Sequence, residues 1–284
     1  MFRYRKRKKA RRAAFFIILF IFLLLYAISY SNSQITAEEY NVSIAGLPES
    51  FRGYRIAQLS DVHGNDRFGE DNVQLLDILR AQSPDIIVIT GDLTDESHPP
   101  ETVRRLLEQL VEISPVYYVT GNHEWSAKHI SKLMDMMAEI GVTPLRNEYV
   151  LLTAGEDSLV LAGIDDKNGY ADMKTPSELM AEILAEQGDG PTILLSHRPD
   201  DVERYWSMGY DLVVAGHFHG GVVQIPGVGG LISPRREFFP KYSRGLYHGG
   251  DGGALVLSAG LAGHLWQPRL FNTLHVPVVV LSGS

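Results

Sequence analysis

Residues 55–63 read RIAQLSDVH, and the fold turns on that stretch. A short apolar run, Arg55–Leu59, stops at a polar loop carrying Asp61 and His63 two residues apart. Four more runs end the same way. Asp85–Thr90 precedes Gly91-Asp92-Leu93-Thr94-Asp95, and Val116–Thr120 precedes Gly121-Asn122-His123-Glu124. Thr192–Leu195 precedes Ser196-His197, and Leu212–Ala215 precedes Gly216-His217-Phe218-His219-Gly220-Gly221. Each run has four to six residues rich in Ile, Val, Leu or Tyr, which suits a buried strand.

The stretches between the runs have helical spacing. Val103, Leu106, Leu107, Leu110 and Val111 form one apolar stripe; Ile130, Leu133, Met134 and Met137 form another. Thr175-Pro176-Ser177-Glu178 is a capping box with proline at the first helical position, opening a helix with Leu179, Ile183 and Leu184. Strands alternating with helices predict an α/β protein with a largely parallel core. Residues 149–164 predict a hairpin around Gly155-Glu156-Asp157. Residues 222–284 are rich in strand signal and glycine, with runs at Ala254–Ser258 and Val276–Leu281. They are predicted as strands of a second sheet in the same domain.

The N-terminus is different in kind. Eight of the first twelve residues are basic, and residues 1–34 contain no acid. Ala13–Ser29 (AAFFIILFIFLLLYAIS) then carries no charge, which predicts a transmembrane anchor over 13–30 with Tyr30 at the interface. The basic segment 1–12 predicts a cytoplasmic N-terminus and an extracytoplasmic body, single-pass in the cell membrane. The alternative is a cleaved secretion signal, whose apolar region is usually about 7–15 residues. Arg11-Arg12 resembles a twin-arginine signal only weakly. A polar, flexible linker is predicted over 31–39 and the folded domain over 40–284.

Composition narrows the function. With 45% hydrophobic and 21% charged residues in 284, the chain is globular. It has no cysteine, which excludes disulfides, thiol catalysis, iron–sulfur clusters and cysteine zinc sites. Residues 13–284 hold 18 basic and 34 acidic side chains, a net of −16, against binding bulk nucleic acid. Ligands of open α/β sheets bind at the carboxyl ends of the strands, so the five loops are expected to converge. Carboxylates, an amide and imidazoles without sulfur suit Mn²⁺, Fe or Zn²⁺. Seven such ligands exceed one ion's needs and suit two ions sharing a carboxylate, as in two-metal displacement at phosphorus. His98, His129, His248, His264 and His275 lie outside these loops and are read as surface or core residues.

The series Asp61-x-His63, Gly91-Asp92-x-x-Asp95, Gly121-Asn122-His123-Glu124, His197 and Gly216-His217-x-His219 resembles the calcineurin-like metallophosphoesterases across residues 53–221. The tail from Phe238 to Tyr247 is similar to their membrane-associated bacterial branch, the YkuE- and YaeI-like proteins. The resemblance implies a fold of two mixed β-sheets packed as a sandwich and flanked by helices. It implies that Asp61, His63 and His219 bind one metal, that Asn122, His197 and His217 bind a second, and that Asp92 bridges both. It also implies that His123 assists the leaving oxygen while Asp95 orients its ring. The phosphoprotein phosphatases continue with Arg-Gly after the second aspartate; here Glu96-Ser97 follows, which argues against a phosphoprotein substrate.

The expected activity is hydrolysis of phosphodiester or pyrophosphate bonds by a metal-bridging hydroxide, on a membrane- or envelope-associated substrate. Two divalent ions, Mn²⁺ foremost, are the expected cofactors. Arg198, Arg235, Arg236, Lys241 and Arg244 are candidate phosphate or headgroup ligands. Tyr242, Phe238, Phe239 and Trp266 are candidate walls of an apolar pocket. The competing readings are a phosphomonoesterase and a non-catalytic, membrane-tethered binding protein on the same fold. Retention of every ligand and of His123 counts against the last.

Overall fold

Strands that are apolar on both faces need cover on both sides. The computed structural model, which describes residues 2–66, 68–171, 173–225, 227–233, 236–250, 252–262 and 269–283, supplies it with four layers. A long helix, α1 (Phe2–Ser33), leads into β1 (Ile35–Ile44). Then come β2 (Arg55–Leu59), α2 (Val73–Gln82), β3 (Ile86–Thr90), α3 (Glu101–Val111), β4 (Val116–Val119), α4 (Asn122–Ser126), α5 (Ile130–Ile140) and β5 (Thr143–Pro144). The second half holds β6 (Glu148–Ala154), β7 (Asp157–Gly163), α6 (Pro176–Gln187), β8 (Thr192–Leu195), α7 (Val202–Ser207) and β9 (Leu212–Ala215). It closes with the short β10 (Gln224–Ile225) and β11 (Gly229–Gly230), then β12 (Gly245–His248), β13 (Ala254–Leu257) and β14 (Leu274–Gly283).

One sheet has the order β1-β14-β2-β3-β4-β5 and the other β12-β13-β9-β8-β7-β6. In the first, β14 runs antiparallel to β2; in the second, β6 and β12 run antiparallel to their neighbours. Both sheets are therefore mixed. Alternation along each strand sorts side chains into three cores. Ile56, Ile86, Val88 and Val119 of the first sheet meet Leu161, Ile193, Leu195, Leu212 and Val214 of the second. Ala57, Leu59, Ile87 and Ile89 face outward onto Leu75, Leu79, Val103, Leu107, Leu133 and Met137 of the helices. Leu194, Val213 and Leu255 do the same against Leu179, Ile183 and Val202. The predicted hairpin is present, with Gly155 in its turn at φ 59°.

Two expectations are corrected. The segment predicted as a flexible linker, 31–39, is ordered: α1 ends at Ser33 and β1 begins at Ile35. Ile35 and Ala37 pack on the helix-side core, while Val42 and Ile44 pack between the sheets. The polar residues that concealed this strand include Glu38, which accepts from Arg244 Nη2 at 2.5 Å. The second correction concerns β14, which joins the first sheet between β1 and β2 rather than the second sheet. Val276 and Val278 face one core and Val279 and Leu281 the other, so a central place buries both faces. Pro277, which lacks an N–H, lies just outside the ladder to β2.

The α6 capping box forms as predicted: Glu178 N donates to Thr175 Oγ1 at 3.2 Å, and Thr175 N donates to Glu178 Oε2 at 2.8 Å. Thr175→Ala is expected to lower stability by about 1 kcal/mol. Urea denaturation checks this, and an unchanged midpoint would show that the cap contributes nothing.

Candidate metal centre

Every ligand-type residue follows a strand and sits at one end of the sandwich. Asp61 follows β2, Asp92 follows β3, and Asn122 opens α4 after β4; His197 follows β8, and His217 and His219 follow β9. The loops are stitched together by backbone bonds. Asp61 N donates to Gly91 O at 3.0 Å, His63 N to Asp92 O at 3.0 Å, and Gly216 N to His197 O at 3.0 Å. Gln58, buried in β2, donates to Thr90 Oγ1 at 2.8 Å and to Ala215 O at 2.7 Å, tying the two sheets at this end. The packing leaves no room for a Cβ at two glycines. At Gly121 it would overlap Asp92, and at Gly216 it would overlap Ser60 Oγ and Asp61 Oδ2.

The donor atoms converge as two groups with Asp92 between them. Asp61, His63 and His219 form one set, and Asp92, His197 and His217 another, each with its donor atoms within 4.8 Å of one another. Asp92 Oδ2 lies 3.2 Å from His197 Nε2 and 3.8 Å from His63 Nε2. His197 Nε2 also lies 3.2 Å from Asn122 Oδ1 and 3.1 Å from His217 Nδ1. His219 Nε2 is 3.5 Å from Asp61 Oδ1.

These atoms fit divalent cations. His197 Nδ1 donates to Thr90 O at 2.8 Å, which leaves a lone pair on Nε2. That lone pair faces a carboxylate oxygen, an amide oxygen and another imidazole nitrogen, an array of acceptors that a cation satisfies. The same array also attracts a proton, as any site built for positive charge does. Burial works to lower His197, but the Asp92 charge and hydrogen bond hold it up at about 10. Burial, the His197 charge and Arg198 push His217 down to about 2. Burial would raise the Asp92 carboxyl, yet the surrounding imidazoles hold it far below the usual carboxylate range.

His123 belongs to the same place. Its donor atom is within 4.8 Å of those of His63 and Asp92, and its ring meets the His63 ring edge-on at 4.8 Å. The expected partner of that ring is corrected. Asp95 does not orient it; Glu96 Oε2 does, 3.1 Å from His123 Nδ1. Asp95 Oδ1 is taken by the amides of Ser97 and His98 at 2.8 and 2.9 Å and by His98 Nδ1 at 2.8 Å. Its Oδ2 lies 3.6 Å from His63 Nδ1, so Asp95 supports a candidate ligand instead.

The candidate substrate residues do not gather here. Lys241 pairs with Glu203 of α7, and Tyr242 donates to the same carboxylate at 3.2 Å. Both line a cleft with Trp206 and Tyr247 that shares no residue with the metal cluster. Arg244 is held by Glu38, and Phe238 and Phe239 are exposed rather than walls of a pocket. Among the described candidates Arg198 reaches the cluster: Nη1 lies 3.2 Å from His217 Nε2, and buried Asp166 accepts from Nε at 2.6 Å. Arg235, Trp266 and His264 lie outside the described residues.

Three residues had no assigned role. Glu124, wholly buried, accepts from the amides of Gly121 (2.8 Å), Asp92 (3.1 Å), Leu93 (2.5 Å) and Thr94 (3.0 Å). Burial, helped by the Asp92 charge, pushes its carboxyl up to about 7 against those donors. Asn272 Nδ2 donates to His219 O at 2.8 Å and Val222 O at 3.1 Å, fixing the last loop. Arg269 is buried near Asp61, where desolvation lowers its guanidinium to about 10 and the Asp61 charge opposes the fall. Only Glu124 carried a sequence signal, three residues after Gly121, the spacing of a capping box.

Glu124→Gln is expected to weaken metal retention about 10–100-fold, because the amide turns donors toward donors and releases the Asp92 and Asn122 loops. Metal titration of the folded variant checks this; wild-type affinity would show that the loops hold themselves.

Comparison with known proteins comes to the same end. A family model described as calcineurin-like phosphoesterase matches residues 54–221. The transmembrane protein with metallophosphoesterase domain of Danio rerio is 28% identical over 223 residues, covering 74% of this chain and 50% of that protein. Its Bos taurus counterpart is 28% identical, covering 98% of this chain and 64% of that protein. The chain thus spans half to just under two thirds of these relatives. The uncharacterized metallophosphoesterase YkuE of Bacillus subtilis is 27% identical, covering 80% of this chain and 78% of that protein. Among solved structures, TT1561 of Thermus thermophilus shares the fold, with a TM-score of 0.50 at 15% identity over 73% of this chain and 90% of that one.

Proposed function

The chain belongs to the calcineurin-like phosphoesterase family, and we propose that it cleaves phosphodiester or pyrophosphate bonds with two bound divalent ions, on a membrane- or envelope-associated substrate. Hydrolysis of a phosphate ester follows from the family. The two-ion reading rests on one observation: Asp92 Oδ2 lies between the imidazoles of His197 and His63, at 3.2 and 3.8 Å.

Asp61, His63 and His219 would hold one ion, Asn122, His197 and His217 the second, and Asp92 both. Such ions, Mn²⁺ foremost with Fe or Zn²⁺ as alternatives, supply Lewis acidity and an activated water at neutral pH. The remaining work falls to the chain. Asn122 is a neutral ligand, so it adds no charge against an anionic substrate. His123 stands beside the cluster to stabilise or protonate the leaving oxygen. Glu96 at its Nδ1 fixes the tautomer, leaving Nε2 toward the substrate. Arg198, clamped by Asp166 and 3.2 Å from His217 of the second set, is suited to a phosphate oxygen.

The membrane part of the proposal starts from α1. Its Arg11–Ser33 segment, 23 residues of mean hydropathy 2.6, is long and apolar enough to cross a bilayer. Relatives carry the word transmembrane in their names. The basic block in the first turns of α1 favours a single-pass protein of the cell membrane with its body extracytoplasmic. Similarity of the tail supports the membrane-associated bacterial branch.

The full chain in detergent, stripped of metal and reloaded with Mn²⁺, is expected to hydrolyse bis(p-nitrophenyl) phosphate faster than p-nitrophenyl phosphate. Turnover of the monoester alone would make it a phosphomonoesterase. Two bound ions with no turnover of either would leave a tethered binding protein. His123→Ala is expected to keep both ions and lose about 10²–10⁴ in turnover, measured beside metal content; a parallel loss of metal would contradict its role. Asp92→Asn is expected to release both ions together, and loss of only one would remove the bridge.

A further inference from the structure

We propose that the body rests on the bilayer through a second contact, an apolar apron of Val228, Phe238, Phe239 and Phe271, which brings the His219 loop to the lipid headgroups. This rests on α1 crossing a membrane, not on the hydrolytic reading.

The depth of the apron follows from α1. At 1.5 Å per residue the 23-residue segment spans about 35 Å, against about 30 Å of hydrocarbon, so its final turn lies at the headgroup boundary. One stripe of α1 is not exposed: Leu24, Ala27 and Ile28 are half-buried and Ser31 is buried, at the spacing of a single helix face. The body therefore lies alongside the last two turns and does not stand off from the membrane.

Hydrogen bonds carry that level into the body. Asn32 Nδ2 donates to Arg269 O at 3.1 Å, and Arg269 N donates to Asn32 Oδ1 at 3.4 Å. Leu270 N donates to Val222 O at 3.4 Å, and Gln224 N to Leu270 O at 3.0 Å, which pins the β10–β11 hairpin beside Phe271. Val228, in the hairpin turn, and Phe271 line one open cleft with Thr36, at the start of β1. The chain leaving β11 pairs Ile232 with Phe238, and Phe239 N donates to Leu231 O at 2.9 Å.

All four side chains are open to water, Val228 at 66%, Phe238 at 71%, Phe239 at 57% and Phe271 at 59%. They include every exposed phenylalanine beyond α1 among the described residues. Large apolar side chains collected on one rim mark an interaction surface. Its continuity with the end of a membrane-crossing helix identifies the partner as the leaflet into which that helix emerges. Asn272, next to Phe271, bonds the carbonyl of His219, so the rim and the metal loop share one segment.

The chain has no cysteine, so single labels are clean. Val228→Cys and Phe271→Cys, labelled with an environment-sensitive fluorophore in the full chain, would be reconstituted into phosphatidylcholine–phosphatidylglycerol vesicles. Blue-shifted emission, quenched by headgroup- and shallow-spin-labelled lipids, is expected at both sites but not at Glu156→Cys in the β6–β7 turn. Water-like emission overturns the proposal. So does blue-shifted emission that lipids do not quench, which would mean a protein partner. A Val228→Ser/Phe271→Ser variant is expected to keep turnover of soluble bis(p-nitrophenyl) phosphate and to lose about tenfold on a phosphodiester headgroup in vesicles, equivalent to about 1.4 kcal/mol. Equal losses on both substrates would overturn it. A wild-type chain inactive on both would sink the hydrolase reading, while the labels still decide the seat.

Discussion

A carboxylate with 1% of its surface in water needs compensating charge, and Asp92 is such a group. Removing an ion from water costs several kcal/mol even after relaxation, so its neighbours must offset the loss. They do so in two ways. His197 and His63 face Oδ2, and the amide of His123 donates to Oδ1 at 2.8 Å. A second buried carboxylate, Glu124, accepts from the amides of Asp92 and Leu93, and burial beside the Asp92 charge raises it. Two buried acids side by side make sense where cations are resident. Without them the same geometry holds a proton tightly on His197.

The fold meets this need with strain as well as charge. Asp61, His63, Asp92, His217 and His219 all have positive φ, between 47° and 73°. Each such residue costs of order 1–3 kcal/mol and persists only where its surroundings fix it. Those surroundings are the loop-to-loop amide bonds, the Gln58 tie between the sheets and the two glycines where a Cβ would collide. The three apolar cores stabilise the strands and leave the loops free to adopt a geometry set by donor atoms.

The same division explains what was legible in the sequence. The five strand ends were readable because metal-ligand chemistry restricts residue type, and because a fully buried strand is a continuous apolar run. All seven ligand-type residues fall within the two groups or against them. The failures lie where partners come from afar. Glu38 looks like a linker residue until Arg244, 206 positions away, covers it. The choice between Asp95 and Glu96 as partner of His123 depends on which carboxylate the turn at Ser97 and His98 captures, and residue type cannot show that. Lys241 and Tyr242 have the chemistry of phosphate ligands, but Glu203 on α7 engages both.

Charge gives a reason for anchoring as well. Residues 13–284 carry a net of −16, so the body offers a soluble phosphate ester no long-range attraction. Its local cations act only within a Debye length, about 8 Å at physiological salt. Steering from solution is therefore poor. On the proposed placement the substrate reaches the His219 loop by diffusing in the leaflet, and a shared surface replaces electrostatic capture with high effective concentration.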